Sequence, residues 1–217
     1  MLSDNSSKLV HIPADSAVLE GVLDVPREAQ ALVIFAHGSG SSRHSKRNKY
    51  VAQVLHEAGL GTLLFDLLTR EEDTFYEKRF DMPLLAERLI AATRWIKDQP
   101  QTRNLNIGYF GASTGAAAAL LAATEPGIGV SAIVSRGGRP DLAEQALEHV
   151  KAPTLLIVGG YDDVVIQLNQ QSYKLIKAEK ELRIIPGATH LFEEPGTLEE
   201  VARFAAEWFK KHLTLFP

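Results

Sequence analysis

Six short apolar runs, separated by longer stretches with helical spacing, constrain this chain more than any other feature. They read "ALVIFAH", "GTLLFD", "LNIGYFG", "VSAIVS", "PTLLIVGG" and "ELRIIPG". Runs of this length without polar alternation suit strands buried on both faces, as in parallel sheets covered by helices. Between them lie "KYVAQVLHEAG", "MPLLAERLIAATRWIKD", "GAAAALLAATEP", "PDLAEQALEHV" and "VVIQLNQQSYKLIKA", and "LEEVARFAAEWFKKHL" closes the series. Strands alternating with helices in this way predict a mostly parallel twisted sheet with right-handed crossovers and helices on both faces. The beginning differs: "KLVHIPA" and "AVLEGVLDVP" alternate apolar and polar residues around "PADS", which predicts an antiparallel pair. The expected fold class is therefore α/β, with about eight strands.

With 217 residues and 45% hydrophobic content, the chain is expected to form one domain over 1–217 with a sizeable core. Between the fourth and fifth apolar runs there is room for one short helix, from Pro140 to about Val150, so no separate lid domain is expected. The absence of cysteine excludes disulfides, thiolate metal sites and a cysteine nucleophile, and it suits a reducing compartment. A net charge of −4 gives no general reason to expect nucleic acid or a membrane as partner. The N-terminal "MLSDNSSKLV" lacks a basic start and an apolar core, and Ala116 to Ala123 is too short to span a bilayer. A cytoplasmic protein, monomeric or homodimeric, is the expectation.

In sheets of this kind, ligands gather beyond the carboxyl ends of the strands, where loops converge and helix N-termini point inward. The loops there are "HGSGSSRHS", "DLLTREEDTF", "GASTG", "SRGGRPD", "GGYDDVV" and "GATHLF", and they present a serine, an acid and a histidine in that order. "GASTG" fits G-x-S-x-G, a strained strand-to-helix turn that exposes the serine oxygen and tolerates only small neighbours. The preceding "LNIGYF" and the alanine-rich segment after it supply the strand and the helix that the motif requires. Ser113 is a weak nucleophile at neutral pH and needs a base. Among seven histidines, His190 stands best placed, after the last apolar run and before the final helix; His44, His56, His149 and His212 fall in polar loops or on helix faces.

By its strand alternation, motif order and spacing from about residue 8 onward, the chain resembles the α/β-hydrolase superfamily, and within it the dienelactone-hydrolase-like group without a lid. Dienelactone hydrolase proper carries a cysteine nucleophile, and this chain carries serine. The resemblance implies a triad of Ser113, Asp162 and His190. Asp162 fits the superfamily's G-x-x-D-x-x-V pattern through Gly159 and Val165, and Asp163 is then a helix-capping or surface acid. It also implies an oxyanion hole. "HGSG" resembles the superfamily's H-G-x loop, which assigns one backbone N–H to Ser39, and the residue after the nucleophile, Thr114, gives the other. His37 is expected to brace that loop. The loop lacks both G-x-G-x-x-G and the P-loop lysine pattern, which argues against a nucleotide site.

The periphery carries less information. "TREEDTFYEKRFD" either folds along one side of the site with Phe75 and Tyr76 as an apolar wall, or is a solvated loop. Arg43, His44, Lys46 and Arg47 read as a solvated charge run. Arg136 follows a strand end directly, where a guanidinium can fork onto a substrate carboxylate or pair with an acid such as Asp66 or Asp141. The expected function is hydrolysis of a small or medium carboxylic ester, including a lactone or an anionic ester, through an acyl-enzyme. No metal or organic cofactor is expected. An acyltransferase, thioesterase or peptidase would use the same triad, and a noncatalytic binding protein on the same fold is the alternative from another class.

Overall fold

The computed structural model describes residues 7–214. All eight strands join one sheet in the order β1-β2-β4-β3-β5-β6-β7-β8. β1 (Lys8–Ala14) and β2 (Ala17–Asp24) form the antiparallel pair, turning at Asp15 and Ser16, and β2 then pairs antiparallel with β4 (Gly61–Phe65). The remaining strands run parallel: β3 (Ala31–Ala36), β5 (Asn106–Ala112), β6 (Val130–Arg136), β7 (Thr154–Gly159) and β8 (Lys180–Ile185). Each parallel crossover is long enough to carry a helix back across the sheet.

The helices divide between the two faces, and the strand sequences show why. In β3, Leu32, Ile34 and Ala36 point to one side, and Ala31, Val33 and Phe35 to the other; all are buried. The first side packs against α2 (Met82–Asp98), α3 (Thr114–Ala122) and α4 (Glu144–Leu147), through Leu85, Leu89, Ala117, Leu120 and Leu147. Tyr173 and Leu175 of α5 (Asp163–Leu175) extend that layer. The second side packs against α1 (Lys46–Glu57) and α6 (Thr197–Leu213), through Val51, Leu55, Val201, Ala205 and Phe209. Among the described residues no helix is long and apolar enough to cross a membrane.

Two segments differ from the sequence expectation. The stretch expected as one helix from Pro140 to about Val150 is a 3-10 turn, Pro140–Ala143, followed by the single turn of α4. Ala143, at φ −119°, leaves the helical region between them. β8 is not buried on both faces: it ends the sheet, and Arg183 and Ile184 are exposed. Its Lys, Glu and Arg side chains suit an edge, where charge discourages pairing with another chain.

Three contacts set the carboxyl edge of the sheet. α3 lies so close to β3 that a Cβ on Gly115 would stand 2.1 Å from the Ala36 carbonyl oxygen, so only glycine fits there. The loop after β3 is braced by His37, whose Nδ1–H donates to the Gly38 carbonyl at 3.0 Å while Nε2 accepts the Leu67 N–H at 3.0 Å. Arg88 on α2, itself buried, joins the β1–β2 turn to the segment after β4 by donating to Ala14 O and to Glu72 Oε1. Burial pushes the Glu72 carboxyl up, but the Thr69 N–H and the charges of Arg88 and Lys78 outweigh it and hold the group below its usual value.

Burial holds the His37 imidazole below its ordinary pKa of 6.5, so the folded protein keeps it neutral where the unfolded chain takes up a proton. The sign follows: this group's contribution is complete above pH 6.5 and declines as pH falls below it, by at most about 1.4 kcal/mol per pH unit. His37→Gln, which keeps an acceptor for Leu67 N–H and binds no proton, should therefore melt with a flatter pH profile below 6.5 than the wild type. Parallel profiles in thermal melts would assign the acid sensitivity to other groups.

Candidate active site

Ser113 connects β5 to α3 with φ +51° and ψ −122°, a conformation that non-glycine residues rarely adopt and that costs about 1–3 kcal/mol. Its backbone is held by neighbours: Ser113 N–H donates to Arg136 O at 3.2 Å, and Ser113 O accepts from Arg139 N at 3.1 Å. Ser113 immediately precedes α3, whose N-terminal N–H groups favour negative charge.

His190 lies in the loop between β8 and α6. Its Nδ1 is 2.6 Å from Asp162 Oδ2, so Nδ1–H donates to the carboxylate and Nε2 is left as the basic nitrogen. Asp162 precedes α5 without capping it, and Asp163, the first residue of that helix, is exposed and turned to solvent. The histidine loop is pinned by Glu194, which accepts from Thr189 N–H at 3.1 Å and from the Thr189 hydroxyl at 2.6 Å. Phe192, buried at φ +54°, turns the chain back beneath it. Among the described residues no hydrogen bond joins Ser113 Oγ to His190. β6 approaches both residues: the Arg136 carbonyl holds Ser113 N–H, and a Cβ on the next residue, Gly137, would lie 3.5 Å from His190 Cε1. Such a bond commonly tightens only when substrate is bound.

The loop after β3 lies against the serine turn, so closely that a Cβ on Gly38 would stand 3.1 Å from Ser113 Cβ. Ser39 N–H donates to Thr114 Oγ1 at 2.9 Å, which joins the two expected oxyanion donors through a side chain that the sequence reading did not use. A hydroxyl directly after the nucleophile was the available signal. Beside this loop, a shallow recess with a volume of about 10 Å³ is lined by Ser39, Gly40, Leu67, Leu68, Arg79 and Leu85, among others.

Residues 69–81 form two 3-10 turns, Glu72–Thr74 and Tyr76–Phe80, along that recess. Arg79 clamps Asp73 through its carboxylate and its backbone carbonyl, and a Cβ on Gly40 would lie 3.9 Å from Arg79 Nη1. Phe75, Tyr76 and Phe80 are exposed, with the Tyr76 and Phe80 rings 5.0 Å apart. The segment is an ordered wall with an aromatic outer surface.

Arg136 differs most from its surface expectation. It is 6% exposed, its Nη2 donates to Asn48 Oδ1 at 3.3 Å, and its guanidinium lies 5.9 Å from the Phe192 ring centroid. Neither expected acid reaches it: Asp66 is taken by Arg43, and Asp141 by Arg139 at 2.7 Å. Burial, with a contribution from nearby Arg47, brings its pKa down to about 10, so it stays charged at neutral pH. Asn48, buried at the first turn of α1, is a partner with no sequence signal. The basic run divides as well: Arg43 folds back onto Asp66 and Glu20, Arg47 pairs with Glu193 at 3.2 Å, and His44 and Lys46 are exposed.

Known proteins are similar to this chain in sequence and fold. A solved dienelactone hydrolase from Anabaena variabilis ATCC 29413 is 54% identical and superposes with a TM-score of 0.93, covering 97% of this chain and 99% of that one. Est1E from Butyrivibrio proteoclasticus, at 19% identity, shares the fold with a TM-score of 0.81 over 94% of this chain and 98% of its own. A Mycobacterium tuberculosis protein named "Putative phosphoribosyl transferase" is 58% identical over 204 residues, which are 94% of this chain and 46% of that protein. The chain thus spans about half the length of the curated relatives it matches most strongly. The sequence pattern of the dienelactone hydrolase family matches residues 19–217, and the chain belongs to that family.

Proposed function

We propose that this chain is a serine hydrolase acting on carboxylic esters. The observation that carries the reading is the 2.6 Å hydrogen bond between His190 Nδ1 and Asp162, which leaves Nε2 available to the strained Ser113 turn. In this reaction His190 Nε2 takes the Ser113 proton as Oγ attacks the ester carbonyl carbon, and Asp162 stabilises the imidazolium. The oxyanion of the tetrahedral intermediate accepts from the N–H groups of Ser39 and Thr114. Collapse expels the alcohol, which takes the proton from Nε2. Water then attacks the acyl-enzyme with His190 again as base, releasing the acid and restoring Ser113. These steps require neither a metal nor an organic cofactor. An acceptor other than water would turn the same site to acyl transfer.

Leu67, Leu68 and Leu85, which line the recess beside Ser39, support an ester with an apolar portion. Arg136 supports an anionic one: among the described residues no carboxylate pairs with its buried guanidinium, which stands one residue from Gly137, against which His190 packs. We place the transferase name of the mycobacterial relative with the part of that protein outside the matched 46%, since the glycines after β3 here serve the Ser113 turn and not a phosphate.

A fluorophosphonate should label the protein at Ser113 alone, and Ser113→Ala should abolish both labelling and ester turnover while the protein stays folded. Labelling that survives the substitution refutes the assignment. Asp162→Asn should lower kcat by on the order of 10³–10⁴-fold, because the amide favours the wrong imidazole tautomer and cannot stabilise the imidazolium. Asp163→Asn should change it little, and the reverse pattern would move the role to Asp163. For Arg136, truncation to alanine should lower the anionic-to-neutral ratio of kcat/KM roughly ten- to a hundredfold at low salt, as expected for a lost charge-assisted contact. An equal loss for both ester classes, with a lower Tm, would make Arg136 a strut between Asn48 and Phe192.

A further inference from the structure

We infer that the Thr114 hydroxyl, in addition to its backbone N–H, belongs to the oxyanion hole: it occupies the Ser39 N–H in the resting site and donates to the oxyanion during turnover. The inference rests on the proposed hydrolase reading and adds a side-chain donor to it. Three observations carry it. Thr114 Oγ1 accepts the Ser39 N–H at 2.9 Å, so the oxygen already stands where one of the two expected donors points. The residue is 4% exposed, which leaves little water to compete for that position. Among the described residues nothing accepts the hydroxyl's own proton.

The last point follows from chain position. A threonine inside a helix commonly returns its hydroxyl proton to the carbonyl three or four residues earlier. Thr114 is the first residue of α3, and the carbonyls at that spacing belong to β5, where they serve the sheet. The hydroxyl is therefore an acceptor in use and a donor in reserve. Without it, the resting enzyme would hold a part-buried Ser39 N–H with no partner, which is unfavourable. When the ester carbonyl becomes an oxyanion, the stronger acceptor takes Ser39 N–H. Thr114 Oγ1 loses its role as acceptor, and a rotation about one torsion turns its O–H to the same oxyanion. The proton stays on Oγ1 throughout, so the step is a change of hydrogen-bond partner and not a proton transfer.

The hydroxyl thereby competes weakly with substrate in the ground state and contributes fully in the transition state, which predicts a split between KM and kcat. Thr114→Val keeps the shape and removes the hydroxyl; kcat for a simple ester should fall on the order of ten- to a hundredfold, with KM unchanged or lower. Affinity for a boronic acid, which forms a tetrahedral anionic adduct on Ser113, should fall by a similar factor. Thr114→Ser should recover most of both losses. A purely structural role would instead lower Tm and raise KM, with no matching loss in boronate affinity, and would overturn the inference. So would Thr114→Val turning over at the wild-type rate while the wild type is labelled at Ser113 by a fluorophosphonate, a result that leaves the hydrolase reading standing. A folded wild type that neither reacts with the fluorophosphonate nor hydrolyses esters removes the reading and the inference together.

Discussion

The approach of α3 to β3 is the contact on which the site depends. At Gly115 the helix touches the carbonyl oxygens of Ala36 and His37, and no side chain fits between them. That contact places the loop after β3 over the first turn of α3, so Ser39 and Thr114, 75 residues apart in sequence, meet through one hydrogen bond. It also restrains the unfavourable backbone at Ser113. A turn of this kind persists only where its surroundings over-determine it. Here they do so through the Arg136 carbonyl on one side and the Arg139 N–H on the other. The conformation of Ser113 is thus a product of packing across three strands.

The charges around the carboxyl edge are mostly neutralised in pairs. Arg43 is bound by Asp66 and Glu20, Arg79 by Asp73, Arg139 by Asp141 and Arg47 by Glu193. Partly exposed pairs of this sort add little to stability but fix the direction of each guanidinium. They turn loops that read as polar into ordered walls. Arg136 differs: among the described residues no acid pairs with it, and its guanidinium meets the Asn48 amide oxygen and the Phe192 ring.

The strand and helix series was legible because burial on both faces leaves an unbroken apolar run, and α2 spans the same residues, 82–98, that its spacing suggested. Position within the sheet was not legible in the same way. "ELRII" reads like its neighbours, yet β8 is an edge, because edge or centre is decided by strand order and not by the run itself. The loops at the carboxyl edge pointed to Ser113, Asp162 and His190, since topology alone collects them at one end. What surrounds Arg136 could not be read, as Asn48 lies 88 residues away and meets it only through packing. The partner of the Thr114 hydroxyl was hidden for the same reason.

Arg88 makes the antiparallel ribbon at the start of the chain a boundary of the site. Its guanidinium holds the Ala14 carbonyl with one arm and Glu72 with another, and Glu72 in turn accepts the Thr69 N–H at 3.0 Å. The segment beside the loop after β3 is therefore anchored to the β1–β2 hairpin. One buried side chain thus links the hairpin turn to the segment that carries Phe75, Tyr76 and Phe80. The placement of that segment is in this way tied to a turn at the other end of the Arg88 side chain, and not only to its own sequence.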